Sequence, residues 1–417
     1  MALSGTALAA VTLSVAVLAV KSMVVLAAGG DFRVFFAAGW MLRHGADPYN
    51  STALLGAIAR VTAGPPPQSF LLFPYAPWFG MIMAPVALLP YWVAFGMWEG
   101  VSCAAVALAS WRWGVALGWR HPRWWALAAA LSTPALFNYT LGQVSTLALA
   151  LLVGSLLAAR SSHFGWAGAL AVAGALLKPQ DLWPLVPLLW LVPPLVPASR
   201  ALLGRLLVGQ AAAALFLLGA PLLLKHQLMA EWLGLLGYFG SHLTVQTELV
   251  GLSGLLGFAP ASWHLTVGVS DPLVLTLMLV GGAGTALAVM RLRSHPGLSR
   301  IAQERRIGWL VLLPIACWMV VTPYGHDQDL VMVFPLTMLV LGDGAEILSR
   351  ALTWVLLTSL LALPFVTVFF GDSLFPPESL APLGLLVLVG AAGLALHREL
   401  GAAKQSTTGE RVVVQMY

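Results

Sequence analysis

Residues 2–31 read ALSGTALAAVTLSVAVLAVKSMVVLAAGGD. Apart from Lys21 and a few hydroxyls the run is apolar, and it exceeds the ~20 residues a helix needs to cross hydrocarbon. It is longer than a signal-peptide core and lacks a small-residue cleavage site, so it reads as a retained helix. The run ends on Asp31. A carboxylate at the edge of a membrane span costs free energy to desolvate, so it needs a partner or a purpose.

Composition carries the same message along the whole chain. Of 417 residues, 59% are hydrophobic and 9% are charged, against roughly a quarter charged in soluble domains. Mean hydropathy is +0.88. The chain reads as an all-α polytopic membrane protein with a single membrane domain over 1–397. The net charge of +5 is no nucleic-acid signal, because the basic residues sit in loops between apolar runs. Cys103 and Cys317 both lie in apolar runs and read as buried thiols, without a disulfide framework or a metal site.

Apolar runs long enough to cross number about twelve. They are 2–28, one net crossing within 71–109, then approximately 124–138, 143–159, 164–178, 181–197, 202–224, 271–290, 308–321, 328–342, 351–370 and 380–396. Most of the 21 basic residues fall in one set of loops, around Arg112, Arg120, Arg123, Arg160, Arg200, Arg205, Arg291 to Arg306, Arg350 and Arg398. The positive-inside rule places these loops, and both termini, in the cytoplasm. The opposite loops carry Asp31, Asp47, Asp181, Glu231, Glu248, Asp327, Asp329, Asp372 and Glu378. Two external loops follow, about 30–70 and about 225–270. The tail 398–417 is polar and reads as disordered.

Four polar turns share the external face. The first follows Asp31, where Phe32, Phe35, Phe36, Trp40 and Met41 fall on one side at helical spacing. The spacing predicts an amphipathic helix along the bilayer surface, stopped at Gly45. Asp31 then serves either as its N-cap or as a reactive carboxylate. The second turn is Thr322-Pro323-Tyr324-Gly325-His326-Asp327-Gln328-Asp329, in which His326 can donate to a phosphate oxygen. The third is Lys178-Pro179-Gln180-Asp181, where the lysine snorkels, pairs with Asp181 or binds an anion. The fourth, Asn138 to Gln143, offers Gln143 either to a sugar hydroxyl or to helix capping. Glu99 lies in an apolar run and is expected to face the interior. The chain has no phosphate-cradling Gly loop, nucleophilic serine elbow or redox motif.

These pieces, in their order, resemble glycosyltransferase family 87, a group of the GT-C class that uses polyprenyl-phosphate sugars. The resemblance rests on DFRVFFAAG followed by GADPY (31–49), FPYAPWFGMIMAPVALLP (73–90), LGQVSTLALAL (141–151), ALLKPQ (175–180) and TPYGHDQDLVMVFP (322–335). It implies a GT-C-like helical bundle with interfacial helices in the first external loop. It also implies transfer of a sugar, most often mannose, from a polyprenyl-phosphate donor to a glycolipid or glycan hydroxyl with inversion. The family's acidic base after the first helix falls on Asp31, and its histidine after the Thr-Pro-Tyr turn falls on His326. Lys178, Arg33, Tyr324, Gln143, Gln180 and Asp327 complete the candidate substrate site. No cofactor, divalent metal or nucleic acid is expected. A lipid-linked saccharide transporter, a glycan polymerase or ligase, and a non-catalytic scaffold are the competing readings. The clustering of polar groups at one face, and not at mid-membrane, speaks against transport.

Overall fold

The computed structural model describes residues 30–62, 72–193, 199–242, 272–295, 298, 301–322, 327–341 and 385–401. Among them all regular structure is helical. In chain order the helices are α1 (Gly30–Arg43), α2 (Ser51–Val61), α3 (Pro77–Val86), α4 (Tyr91–Ala116), α5 (Pro122–Ala130), α6 (Thr133–Leu141), α7 (Ser145–Arg160) and α8 (Phe164–Leu177). There follow α9 (Pro179–Leu182), α10 (Leu185–Leu188), a 3₁₀ turn (Leu189–Leu191), α11 (Ser199–Leu224), α12 (His226–His242), α13 (Pro272–Arg293) and α14 (Gln303–Val321). A second 3₁₀ segment (Asp327–Val333) leads into α15 (Phe334–Leu341), and α16 covers 385–401. The expected spans at 2–28 and 351–370 lie outside the described residues.

Helices α4 and α11 contain stretches long and apolar enough to cross a membrane; 26 residues at about 1.5 Å each make about 39 Å. Their outward flanks are apolar too. On α4, Trp92, Val93, Met97, Val101, Leu108 and Val115 are exposed, as are Leu207, Val208, Leu215, Phe216 and Leu223 on α11. Water-facing proteins rarely leave such continuous apolar surface uncovered. The buried flank of α4 is Tyr91, Ala94, Trp98, Ser102, Val106, Ala109 and Trp113, stepping by three or four residues along one stripe.

Several expectations change. Segment 71–109 resolves into the short α3, begun at Pro77, and the long α4. Segment 124–138 is not one helix. It breaks at Leu131–Ser132 and restarts at α6 with Pro134 in the first turn, where the missing N–H costs nothing. The described part of segment 181–197, up to residue 193, is likewise a chain of short turns, with Pro184 between α9 and α10 and Pro187 inside α10. Helix α1 does stop before Gly45, whose φ is 72°, but it does not lie with a polar face in water. Phe32, Arg33, Val34, Phe35, Phe36, Ala37, Ala38 and Met41 are all buried. Rings from α3 and α4 enclose it: Phe32 packs against Tyr91, Phe95 and Trp98, and Phe35 against Phe79. Cys103 is exposed rather than buried, because it lies on the outward side of α4 with Gly96 and Gly100. The C-terminal boundary also moves. Helix α16 continues to 401 because Glu399 pairs with Arg305 and accepts a hydrogen bond from Trp309 Nε1 at 3.0 Å.

The tightest seam joins α8 to α11. A Cβ on Gly209 would lie 1.9 Å from Gly165 O, and one on Gly168 would lie 2.3 Å from Leu206 O. Backbones approach this closely only where side chains are absent, the usual means of packing helices in a solvent that gives no hydrophobic drive. Gly209→Val is expected to lower the thermal midpoint in detergent, at a cost of about 1–3 kcal/mol from overpacking. Gly219 on the same helix has nothing within 4 Å of its Cβ position, and Gly219→Val should leave the midpoint nearly unchanged.

Candidate active site

Four helix breaks bring polar side chains together. The first is the start of α1, where Asp31 stands in the first turn, one residue inside the helix. There the amide groups at the helix start favour negative charge. The second is the end of α6. Gly142 adopts φ 68°, its N–H bonds Tyr139 O at 3.0 Å and the Gln143 N–H bonds Asn138 O at 3.0 Å. This pair of bonds is a Schellman motif, which needs the left-handed residue that glycine supplies. A Cβ at Gly142 would also lie 2.5 Å from Phe32 Cβ, so the turn can press against α1 only as glycine. Trp98 Nε1 holds the Gly142 carbonyl at 2.9 Å.

The motif aims Gln143 at Asp31. Gln143 Nε2 donates to Asp31 Oδ2 at 2.8 Å. Its Oε1 accepts from the Val144 N–H and from Tyr75 O–H, both at 3.1 Å. The backbone donor fixes which end of the amide faces the acid. Tyr75 is held by its carbonyl, which accepts from Tyr49 O–H at 2.8 Å, and by the edge of Phe35.

The third break lies between α8 and α9 and carries Lys178, which is 2% exposed. Its Nζ is 2.7 Å from Asp329 Oδ1 in the fourth break, the 3₁₀ segment Asp327–Val333. The same oxygen accepts from Ser145 Oγ, at the start of α7, at 2.5 Å. Lysine therefore pairs with Asp329 and not with its sequence neighbour Asp181. Asp181 is fully buried, and neither carboxylate oxygen has a hydrogen-bond donor among the described residues. Withdrawal from water pushes the Asp31 carboxyl above its ordinary value; the Gln143 bond and the Lys178 charge oppose that rise, and Asp329 adds to it.

The remaining predicted residues separate. Arg33 is buried and turns its Nε to Thr62 Oγ1 at 2.9 Å, away from the Asp31–Gln143 bond. Gln180 contributes its backbone, whose oxygen accepts from Trp318 Nε1 at 2.7 Å and Thr322 Oγ1 at 3.2 Å. Tyr324, His326 and the side chain of Asp327 lie outside the described residues. Glu99 is half-buried, with Oε1 enclosed and without a partner among the described residues. Sequence reasoning did not single out Tyr75, Ser145 or Asp329 as members of the site. Each sits inside a polar turn or motif, but only the fold shows which of its residues point inward.

The sequence profile of glycosyltransferase family 87 matches residues 73–323, more than half of the chain. The chain belongs to glycosyltransferase family 87. The family match makes it a glycosyltransferase, and with its apolar helices a membrane protein. The matched span includes Tyr75, Gln143, Ser145, Lys178 and Asp181; Asp31 precedes it, and His326 and Asp329 follow it. No curated protein and no solved structure matches the chain.

Removing one partner of a buried ion pair strands the other charge, at about 3–5 kcal/mol. Lys178→Met should therefore destabilise this glycosyltransferase strongly in thermal unfolding. The double variant Lys178→Met with Asp329→Leu should recover much of the loss, since no charge is left behind.

Proposed function

We propose that this family 87 chain moves a sugar, mannose first among the candidates, from a polyprenyl-phosphate donor to a hydroxyl of a glycolipid or glycan, with inversion. The reading places about twelve spans in the cell membrane, both termini in the cytoplasm and the site on the extracytoplasmic side. The observation that carries it is the Gln143–Asp31 bond. An amide locked by the Val144 N–H and Tyr75 takes Oδ2. That leaves Oδ1, which has no bond among the described residues, for an incoming hydroxyl. A base must stand within hydrogen-bond reach of the proton it removes. Partial removal from water makes this carboxylate a stronger base than one in solution.

The steps follow from that placement. Asp31 draws the proton from the acceptor hydroxyl as its oxygen attacks the anomeric carbon. The bond to the lipid phosphate breaks on the opposite side. Charge then grows on the departing phosphate oxygen, where an aimed donor is worth most; His326 is assigned that task. Lys178 is already bound to Asp329, so its role shifts from gripping phosphate to setting the charge balance around Asp31. Arg33, held by Thr62, is assigned to positioning α1. The donor enters from the bilayer, so no nucleotide site is needed, and the leaving phosphate does not call for a divalent cation.

Purified protein given polyprenyl-phosphate mannose and a glycolipid acceptor tests the proposal. Asp31→Asn should lower turnover by about 10²- to 10⁴-fold while donor binding persists; full activity in that variant would end the base assignment. A raised carboxyl must lose its proton before it can act, so activity should fall as pH drops, starting above the usual carboxylate range. Gln143 favours the ionised form, so Gln143→Leu should move that acid limb to higher pH. Chelation of divalent cations should leave the rate unchanged.

A further inference from the structure

Asp181 has no role in the mechanism above, yet it is among the most enclosed groups in the molecule. Its exposure is 0%, as is that of Asp329. Its carboxyl is within interaction range of that of Asp329, and neither of its oxygens has a donor among the described residues. Among the described residues the cation at hand is Lys178, bound to Asp329 Oδ1, an oxygen that already takes the Ser145 hydroxyl. Two neighbouring carboxylates and one ammonium leave a net negative charge out of water, a state that buried sites avoid by taking up a proton. The elements packed on α9 offer no relief. Among the described residues, helix α8 has no titratable residue before Lys178, α10 has none, the nearest on α14 is Cys317, and the 3₁₀ segment that carries Asp329 adds no cation. Tyr75 lies within electrostatic reach of Lys178, and Asp31 lies within reach of both Lys178 and Asp329.

We propose that Asp181 is a positioning residue that stays protonated and donates its O–H to Asp329. The Asp181 proton thereby supplies the donor that its own buried group lacks, and Asp329 receives bonds from Ser145, Lys178 and Asp181 together. The Lys178–Asp329–Asp181 group is then electrically neutral. Among the described residues of these breaks, Asp31 is then left as the net negative charge facing the acceptor, which is what a base needs. This role rests on the transferase reading only in its effect on rate; the shared proton itself does not.

Asn is the matching probe, because its amide keeps the shape and the donor but cannot ionise. Asp181→Asn should hold kcat within about threefold of wild type, whereas Asp181→Ala should lower kcat by about ten- to a hundredfold with little change in KM, the scale seen when a group that orients a functional residue is lost. In wild type, raising the pH strips the proton from Asp181 and activity falls along an alkaline limb. In Asp181→Asn that limb should vanish. Infrared spectra of the intact protein in nanodiscs give a readout independent of turnover. The carbonyl stretch of a protonated carboxylic acid should be present in wild type and lose one component in Asp181→Asn. An Asn variant as impaired as the Ala variant, or identical protonated-carboxyl bands in wild type and Asp181→Asn, would overturn the proposal. Loss of the band component in a protein that turns over no polyprenyl-phosphate sugar would leave the shared proton standing and remove the transferase reading alone.

Discussion

The salt bridge between Lys178 and Asp329 is the constraint around which the site is arranged. Both side chains are out of water, 151 residues apart in sequence and 2.7 Å apart in space. Neither charge can be buried alone, since an unpaired ion in a weakly polar interior costs several kcal/mol. The pair therefore forces the end of α8 to meet the 3₁₀ segment after α14. Ser145 joins them and brings the start of α7. Once these three breaks meet, the turn at Gly142 and Gln143 lies beside them, and α1 is drawn in through Asp31. Long-range polar bonds thus do at this end of the bundle what side-chain interdigitation does elsewhere.

Backbone irregularity supplies these groups. Regular helix satisfies its own N–H and C=O groups and leaves little for chemistry. Each site residue instead comes from a first turn, a Schellman turn, a gap between helices or a 3₁₀ stretch. The cost of such breaks in an apolar setting is met by neighbours: Trp98 on the Gly142 carbonyl, and Trp318 and Thr322 on the Gln180 carbonyl. Indole groups recur in this role because one ring supplies apolar area and a single donor.

Sequence reading reached the class of fold because composition alone rules out a water-filled surface. It also found the converging turns, at Asp31, Gln143, Lys178 and Thr322 to Asp329, from interruptions in apolar runs. It failed where contrast between faces is missing. Helix α4 is apolar all round, so nothing in its residues marks the flank of Trp98 as inward or the flank of Cys103 as outward. In α1 the aromatic stripe suggested a surface helix, but the opposite flank is Val34, Ala37 and Ala38, small enough to be enclosed as well. For Lys178 the sequence offered Asp181 as one partner among several uses, because it is near in the chain, whereas tertiary closure brings in Asp329. Helix α16 outlasted its apolar pattern because Glu399 met Arg305, a contact between distant segments that local polarity cannot reveal.

The close seam of α8 and α11 has a mechanical meaning. Gly165, Gly168 and Gly209 let two main chains touch, and main chains in contact leave no soft side chains between them to give way. Lys178 is the residue that closes α8, so the ammonium sits at the tip of a stiff two-rod beam. Asp31, by contrast, rides on a short helix cushioned by rings. This end of the bundle therefore has one wall braced by main chain and one padded by aromatic side chains.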